Sequence, residues 1–300
     1  MKLDNVGVWT AQFDFQSAGR VREAAQELEM LGYGSIWVGE NVGREPISQA
    51  ALLLASTSRI VVATGVANIW ARDPLATVAA QLTLAEAYPD RFLLGLGVSH
   101  AHLVETIRGH QYRRPLHAMR SYLAAIDPLG TRYRAVRPTS APRVLAALGP
   151  KMLRLAAKHA DGAHTYLVPP EHTAHARGVL GPGKLLVPEQ AVVLETDPVR
   201  AREIARQHLR RYLPLPNYTN NLRRYGFDDA DFLDHGSQRL IDALVAWGNV
   251  ETVIQRIRDH SRAGADHVCV QVLDSDPHAI PRRQWRELAE ALGQNAGMHE

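Results

Sequence analysis

The chain has one cysteine in 300 residues, Cys269. An intrachain disulfide is therefore excluded, and a reducing compartment is expected. Cys269 sits in HVCVQV, a run that suits a buried inert thiol better than a nucleophile. An excess of one charge is lacking too. Lys+Arg number 34 against 31 Asp+Glu, and no dense basic cluster interleaved with aromatics occurs. The net charge of +3 is too small to argue for a nucleic-acid partner. No apolar run is long enough to cross a bilayer, and MKLDNVGVW lacks the apolar core of a signal peptide. A cytoplasmic protein without membrane or nucleic-acid partners is the expectation. Several motifs are also missing. There is no Gly-x-Ser-x-Gly elbow, which argues against a hydrolase triad. There is no P-loop. His100 and His102 have only Glu105 nearby, and the pairs His159/His164 and His172/His175 lack metal-ligand spacing or context. No metal site is expected.

Hydrophobic residues make up 46% of the chain, enough for a sizeable core. Short apolar runs alternate with segments of helical period. Strands are predicted at Val6 to Trp9, Ser35 to Val38, Ile60 to Val66, Arg91 to His100, Arg143 to Leu148, Gly162 to Tyr166, Lys184 to Leu194 and His267 to Leu273. A helix is predicted from Ala18 to Leu31, with Val21, Ala24, Ala25, Leu28 and Leu31 on its apolar face. Others are expected at Pro115 to Ile126 and Glu251 to Ala263, the latter with Asn249 as N-cap. Four strand-then-helix units in the first 100 residues imply parallel strands and right-handed crossovers, and the alternation resumes after a looser segment from Ser99 to Thr139. A single eight-fold (β/α) barrel is the simplest fit, spanning residues 1–292 with a frayed tail from Gly293 to Glu300. Insertions follow its fourth and seventh strands. A doubly wound open sheet is the alternative, but Thr10 to Asp14 lacks the glycine-rich dinucleotide turn.

A barrel carries its chemistry just past the C-terminal ends of its strands. RFLLGLGVSH, Arg91 to His100, has glycines at 95 and 97, which suggests that something large lies against that strand end. Glu40 and Asn41 follow the second strand. Glu40 suits an acid or base, or a ligand hydrogen bond, and a helix-capping pair explains it equally well. Thr64 to Asn68 reads as a strand bulge. Ala147 to Met152 runs from strand into helix. Gly149 would admit a ligand to the backbone, Pro150 suits the first helical position, and Lys151 stands near the free N–H groups. That outlines a phosphate site; an ordinary tight turn is the other reading. Glu195 and Asp274 also follow strands.

Taken together, RFLLGLGVSH, IWVGEN, TGVANIW and LAALGPKMLRLAAKHADGAH resemble the luciferase-like monooxygenase superfamily. The resemblance is closest to its coenzyme F-420-dependent oxidoreductases of actinobacterial type. It implies the same barrel, with a flavin or deazaflavin ring across the mouth. It also implies a non-prolyl cis peptide behind the ring at Gly65–Val66. Asn41, Gly65, Val66, Asn68, Gly97, Val98, Ser99 and Thr165 would line the cofactor, with Gly149, Pro150, Lys151 and Met152 at its phosphate end. Asn41 stands where many relatives carry an active-site histidine. Glu40 or His100 would be the proton donor. The implied activity is F-420-dependent hydride transfer with a small organic substrate, by a homodimer. An FMN-dependent monooxygenase and a non-catalytic flavin-binding barrel are the alternatives.

Overall fold

The computed structural model describes all residues except 2, 5 and 297–300, with the side chains of 294–296 also left out. Its staves are β1 (Val6–Trp9), β2 (Ser35–Val38), β3 (Val61–Thr64), β4 (Phe92–Gly97), β5 (Arg143–Ala146), β6 (Gly162–Thr165), β7 (Leu185–Val193) and β8 (Val268–Val272). All pair in parallel in chain order, and β8 pairs with both β7 and β1, so the barrel closes. Strand pleating sorts the side chains. Trp9, Trp37, Ala63, Leu93, Val144, Val187 and Cys269 fill the interior. Val8, Ile36, Val62, Leu94, Leu145, Ala163 and Val270 face the helices. Both faces are covered, which explains why these strands read as apolar runs rather than as alternations.

Local chemistry sets the helix ends. Asn249 accepts the N–H of Thr252, and Asp73 accepts that of Ala76, each capping the helix that follows. The helix Ala18–Met30 buries Val21, Ala24, Ala25 and Leu28, as its period predicts. Leu31 ends it as the C-cap.

Some boundaries differ from the sequence reading. The third strand stops at Thr64, because the chain bulges at Gly65–Val66 and re-pairs only at Ala67–Asn68, beside β4. The helix after β4 runs Pro115–Arg132, past Pro128. The last helix, Arg282–Ala296, carries regular backbone into the expected tail; residues 297–300 lie outside the described set. The two insertions fall after β4 and β7 as expected. The first opens with a π-helical turn, His102–Ile107. The second contains the helices Pro216–Leu222 and Gln238–Leu244 and the strand Val245–Trp247, which pairs with β7. It has its own core, with Leu213, Tyr218, Leu222 and Phe227 buried against Leu240 and Ile241.

Candidate active site

The peptide Gly65–Val66 is cis. Its surroundings are built tightly. The Trp9 indole N–H donates to the Gly65 carbonyl at 2.8 Å, and the Gly65 N–H donates to Val38 at 2.7 Å. A methyl group on Gly95 would overlap the Thr64 carbonyl, and one on Gly97 would overlap Val66. What a side chain at either glycine would meet is the protein's own bulge.

Glu40 is locked in place. One carboxyl oxygen accepts the Asn68 N–H at 2.6 Å and Arg72 at 2.8 Å; the other accepts Arg108 at 2.8 Å. Only 4% of its side chain is exposed. Arg72 also binds Glu45, at 2.8 Å. Both Glu40 oxygens thus accept from cationic donors, and the carboxylate anchors two arginines. Asn68 is likewise engaged: its side-chain oxygen accepts the Trp70 N–H at 2.9 Å.

Beyond β4 the chain is pinned over the mouth. The Trp70 indole donates to the Val98 carbonyl and the Tyr112 hydroxyl to the Ser99 carbonyl, both at 3.0 Å. Ser99 takes a positive φ of 56°. The His100 ring lies 5.6 Å from the Tyr218 ring of the second insertion. Burial holds its pKa below the ordinary value, while a hydrogen bond with Asn217 pulls the other way. At neutral pH the imidazole is uncharged.

Across the mouth, Gly149 is the extended N-cap of the helix Pro150–His159, and no side chain caps it. The Arg224 guanidinium lies 3.4 Å from where a Cβ on Gly149 would sit. His172 bonds the preceding carbonyl of Leu148 at 2.8 Å. Lys151 is exposed beside this turn, and Pro150 and Met152 are half-buried.

One predicted residue points away. Thr165 is fully buried, and strand parity turns it with Ala163 toward the helices, away from the mouth. Its inward neighbour is Tyr166, whose ring meets Trp9 at 5.5 Å. Asn41 is exposed at the rim, in a hollow with Trp70, Arg108 and His110. From the sequence, Trp9 and Tyr166 fall at strand ends and Tyr218 falls among the aromatics of the second insertion, expected to form a substrate pocket; the sequence does not single out Arg72, Arg108, Asn217 and Arg224 as parts of this region. These four carry no comparable signal. Among the described residues, no group of His, Cys, Asp or Glu could hold a metal ion, and no helix is long and apolar enough to cross a membrane.

The sequence model of the luciferase-like monooxygenases matches residues 5–267. A Mycobacterium tuberculosis protein, whose name assigns it provisionally to the coenzyme F420-dependent oxidoreductases, is 30% identical over 192 residues, 54% of each chain. The chain thus spans about half the length of the curated relatives it matches. An F420-dependent secondary alcohol dehydrogenase, in complex with an F420-acetone adduct, superposes with a TM-score of 0.76 at 15% identity, covering 97% of this chain and 98% of that one. An FMN complex of a type II Baeyer-Villiger monooxygenase from Pseudomonas putida gives 0.70 at 13% identity, covering 95% of each. These two structures share the fold.

Proposed function

This chain belongs to the luciferase-like monooxygenase family, and from that premise we propose that it is an oxidoreductase that uses coenzyme F-420 for hydride transfer with a small organic substrate. The observation that carries the reading is the pairing of two features across one mouth. One is the bulged Gly65–Val66 backbone held by Trp9. The other is the uncapped helix start at Gly149, faced by Arg224. A flat ring with an anionic tail matches both, because a helix start and a guanidinium favour negative charge. Gly65, Val66, Gly97, Val98 and Ser99 would then border the ring, and Gly149 to Met152 its tail, with Arg224 added. The named activity of the M. tuberculosis relative supports the deazaflavin. The FMN complex among the structural neighbours supports a second reading, an FMN-dependent monooxygenase.

When bound, the cofactor supplies or accepts the hydride; the chain positions the partners and handles the proton. We assign the proton to His100. As an uncharged imidazole it takes a proton from a substrate hydroxyl in the oxidising direction and returns it in the reducing direction. Glu40 is assigned a positioning role, holding the Asn68 amide, Arg72 and Arg108. Asn217 and Tyr218, against His100, would contact substrate. The proposal includes a cytoplasmic homodimer of a barrel spanning residues 1–292. His100→Asn should lower kcat by about 10²–10⁴-fold, with cofactor affinity unchanged in a fluorescence titration. Unaltered kcat sinks the assignment.

A further inference from the structure

Inside the barrel lies an acid that the reaction above does not use. Glu189 sits on β7, two residues after the inward-facing Val187, and is 1% exposed. One carboxyl oxygen accepts the Leu167 N–H at 3.1 Å. The other, Oε1, has no hydrogen-bond partner among the described residues. The groups that face it are Tyr166 just past β6, Tyr212 and Tyr218 in the second insertion, and Cys269 on β8. Burial keeps each of them uncharged, and Glu189 itself makes each harder to ionise. His208, beside Tyr166 and Tyr212, is held neutral by burial and by Arg211. Burial outweighs the single Leu167 hydrogen bond and pushes the pKa of Glu189 up to about 8. A buried carboxylate with one N–H donor is costly, so the neutral form is retained.

What this acid holds is a strained turn. Leu167 has a φ of 56°, in the left-handed region that a leucine adopts at a cost. The turn presents Tyr166, whose hydroxyl donates to Gln271 at 2.8 Å and lies 2.9 Å from that of Tyr212. The Tyr166 ring packs on Trp9, and Trp9 donates to Gly65. Contacts therefore run unbroken from Glu189 through Leu167, Tyr166 and Trp9 to the cis peptide.

We propose that Glu189, as an uncharged carboxylic acid, is a positioning residue for the floor of the mouth, and that the mouth takes its flat ligand only while Glu189 keeps its proton. The second half rests on the cofactor-binding reading; the first does not. Ionisation places an unpaired charge under Tyr166 and loosens the floor that Trp9 supports.

Tryptophan fluorescence of the free protein, followed from pH 6 to 10, tests the first half. Wild type should show a transition with a midpoint near 8. Glu189→Gln, which mimics the protonated acid and can still accept from Leu167, should abolish it, and Trp9→Phe should remove the signal. A transition that survives in Glu189→Gln overturns the proposal. Should the glutamine variant fail to fold, infrared spectra of wild type decide. A carboxylic-acid carbonyl band present at pH 7 and lost by pH 10 supports the proposal, and its absence at pH 7 overturns it. Affinity for coenzyme F-420 and for FMN, measured at pH 7 and pH 9, tests the second half. Wild type should weaken about tenfold more than Glu189→Gln, since only about a tenth of molecules keep the proton at pH 9. Equal weakening overturns that half. If neither compound binds at either pH while the glutamine-sensitive transition is present, the cofactor reading falls and the positioning role of Glu189 stands.

Discussion

Glycine at 97 is required by the protein's own backbone. A methyl group there would strike Val66, and an overpacked site of this kind costs about 1–3 kcal/mol. Gly97→Ala should therefore lower the denaturant midpoint. Gly19→Ala, on the helix Ala18–Met30 with nothing within 4 Å, should raise it, with a gain in stability of up to about 1 kcal/mol. Equal effects at the two positions would contradict the packing account. At this scale the sequence is a good guide to where backbone is special and a poor one to why. Gly95 and Gly97 mark a strand end with special backbone, and the atoms that a side chain there would meet belong to Thr64 and Val66. Glu40 marks the right end of β2, yet its role depends on Arg108. That residue is 68 positions away, the C-cap of a π-helical turn that no period announces. Thr165 and Tyr166 are adjacent in sequence and opposite in direction, which only strand parity separates.

Elements differ in how legible they are for a physical reason. The staves and the helices between them bury one repeating face each, so their period shows. The second insertion buries Tyr218, Leu222 and Phe227 against its own short helices. A segment of that kind leaves no long repeat to read, and its strand Val245–Trp247 is too short to stand out. This insertion nonetheless delivers the residues at both ends of the mouth: Tyr218 against His100 and Arg224 against Gly149. If Arg224 meets the anionic end of the cofactor, Arg224→Ala should weaken cofactor binding about tenfold, the value of one charge-assisted contact. Salt should erase the difference. Affinity that stays at the wild-type level in low salt would remove Arg224 from the site.

The whole molecule carries a strong pH signature. Burial, the largest cause for each, lowers the pKa of His164, His172 and His267 to about 4 and of His208 and His260 to about 3. The unfolded chain protonates these groups near pH 6.5, where the folded one does not. Their contribution is thus complete above about pH 6.5 and is lost as pH falls toward 4. Five such groups together change stability by about 7 kcal/mol per pH unit at full effect, comparable with the whole stability of a domain. Tm should drop steeply below pH 6. Glu189 has the opposite sign. The fold raises its pKa, so the folded chain holds one proton more than the unfolded between about 4.5 and 8. Stability falls by about 1.4 kcal/mol per unit as pH rises through that window. The two trends set a maximum near neutrality. A Tm that is flat down to pH 4.5 would contradict the buried neutral histidines.

The central claim is that the mouth between Gly65 and Gly149 binds a deazaflavin. The most direct test is a titration of the purified protein with coenzyme F-420 and, separately, FMN, followed by quenching of the five tryptophans. The account predicts tight binding of F-420 and much weaker binding of FMN. Tight binding of FMN alone would move the chain to oxygenase chemistry, and binding of neither would contradict the reading of this mouth.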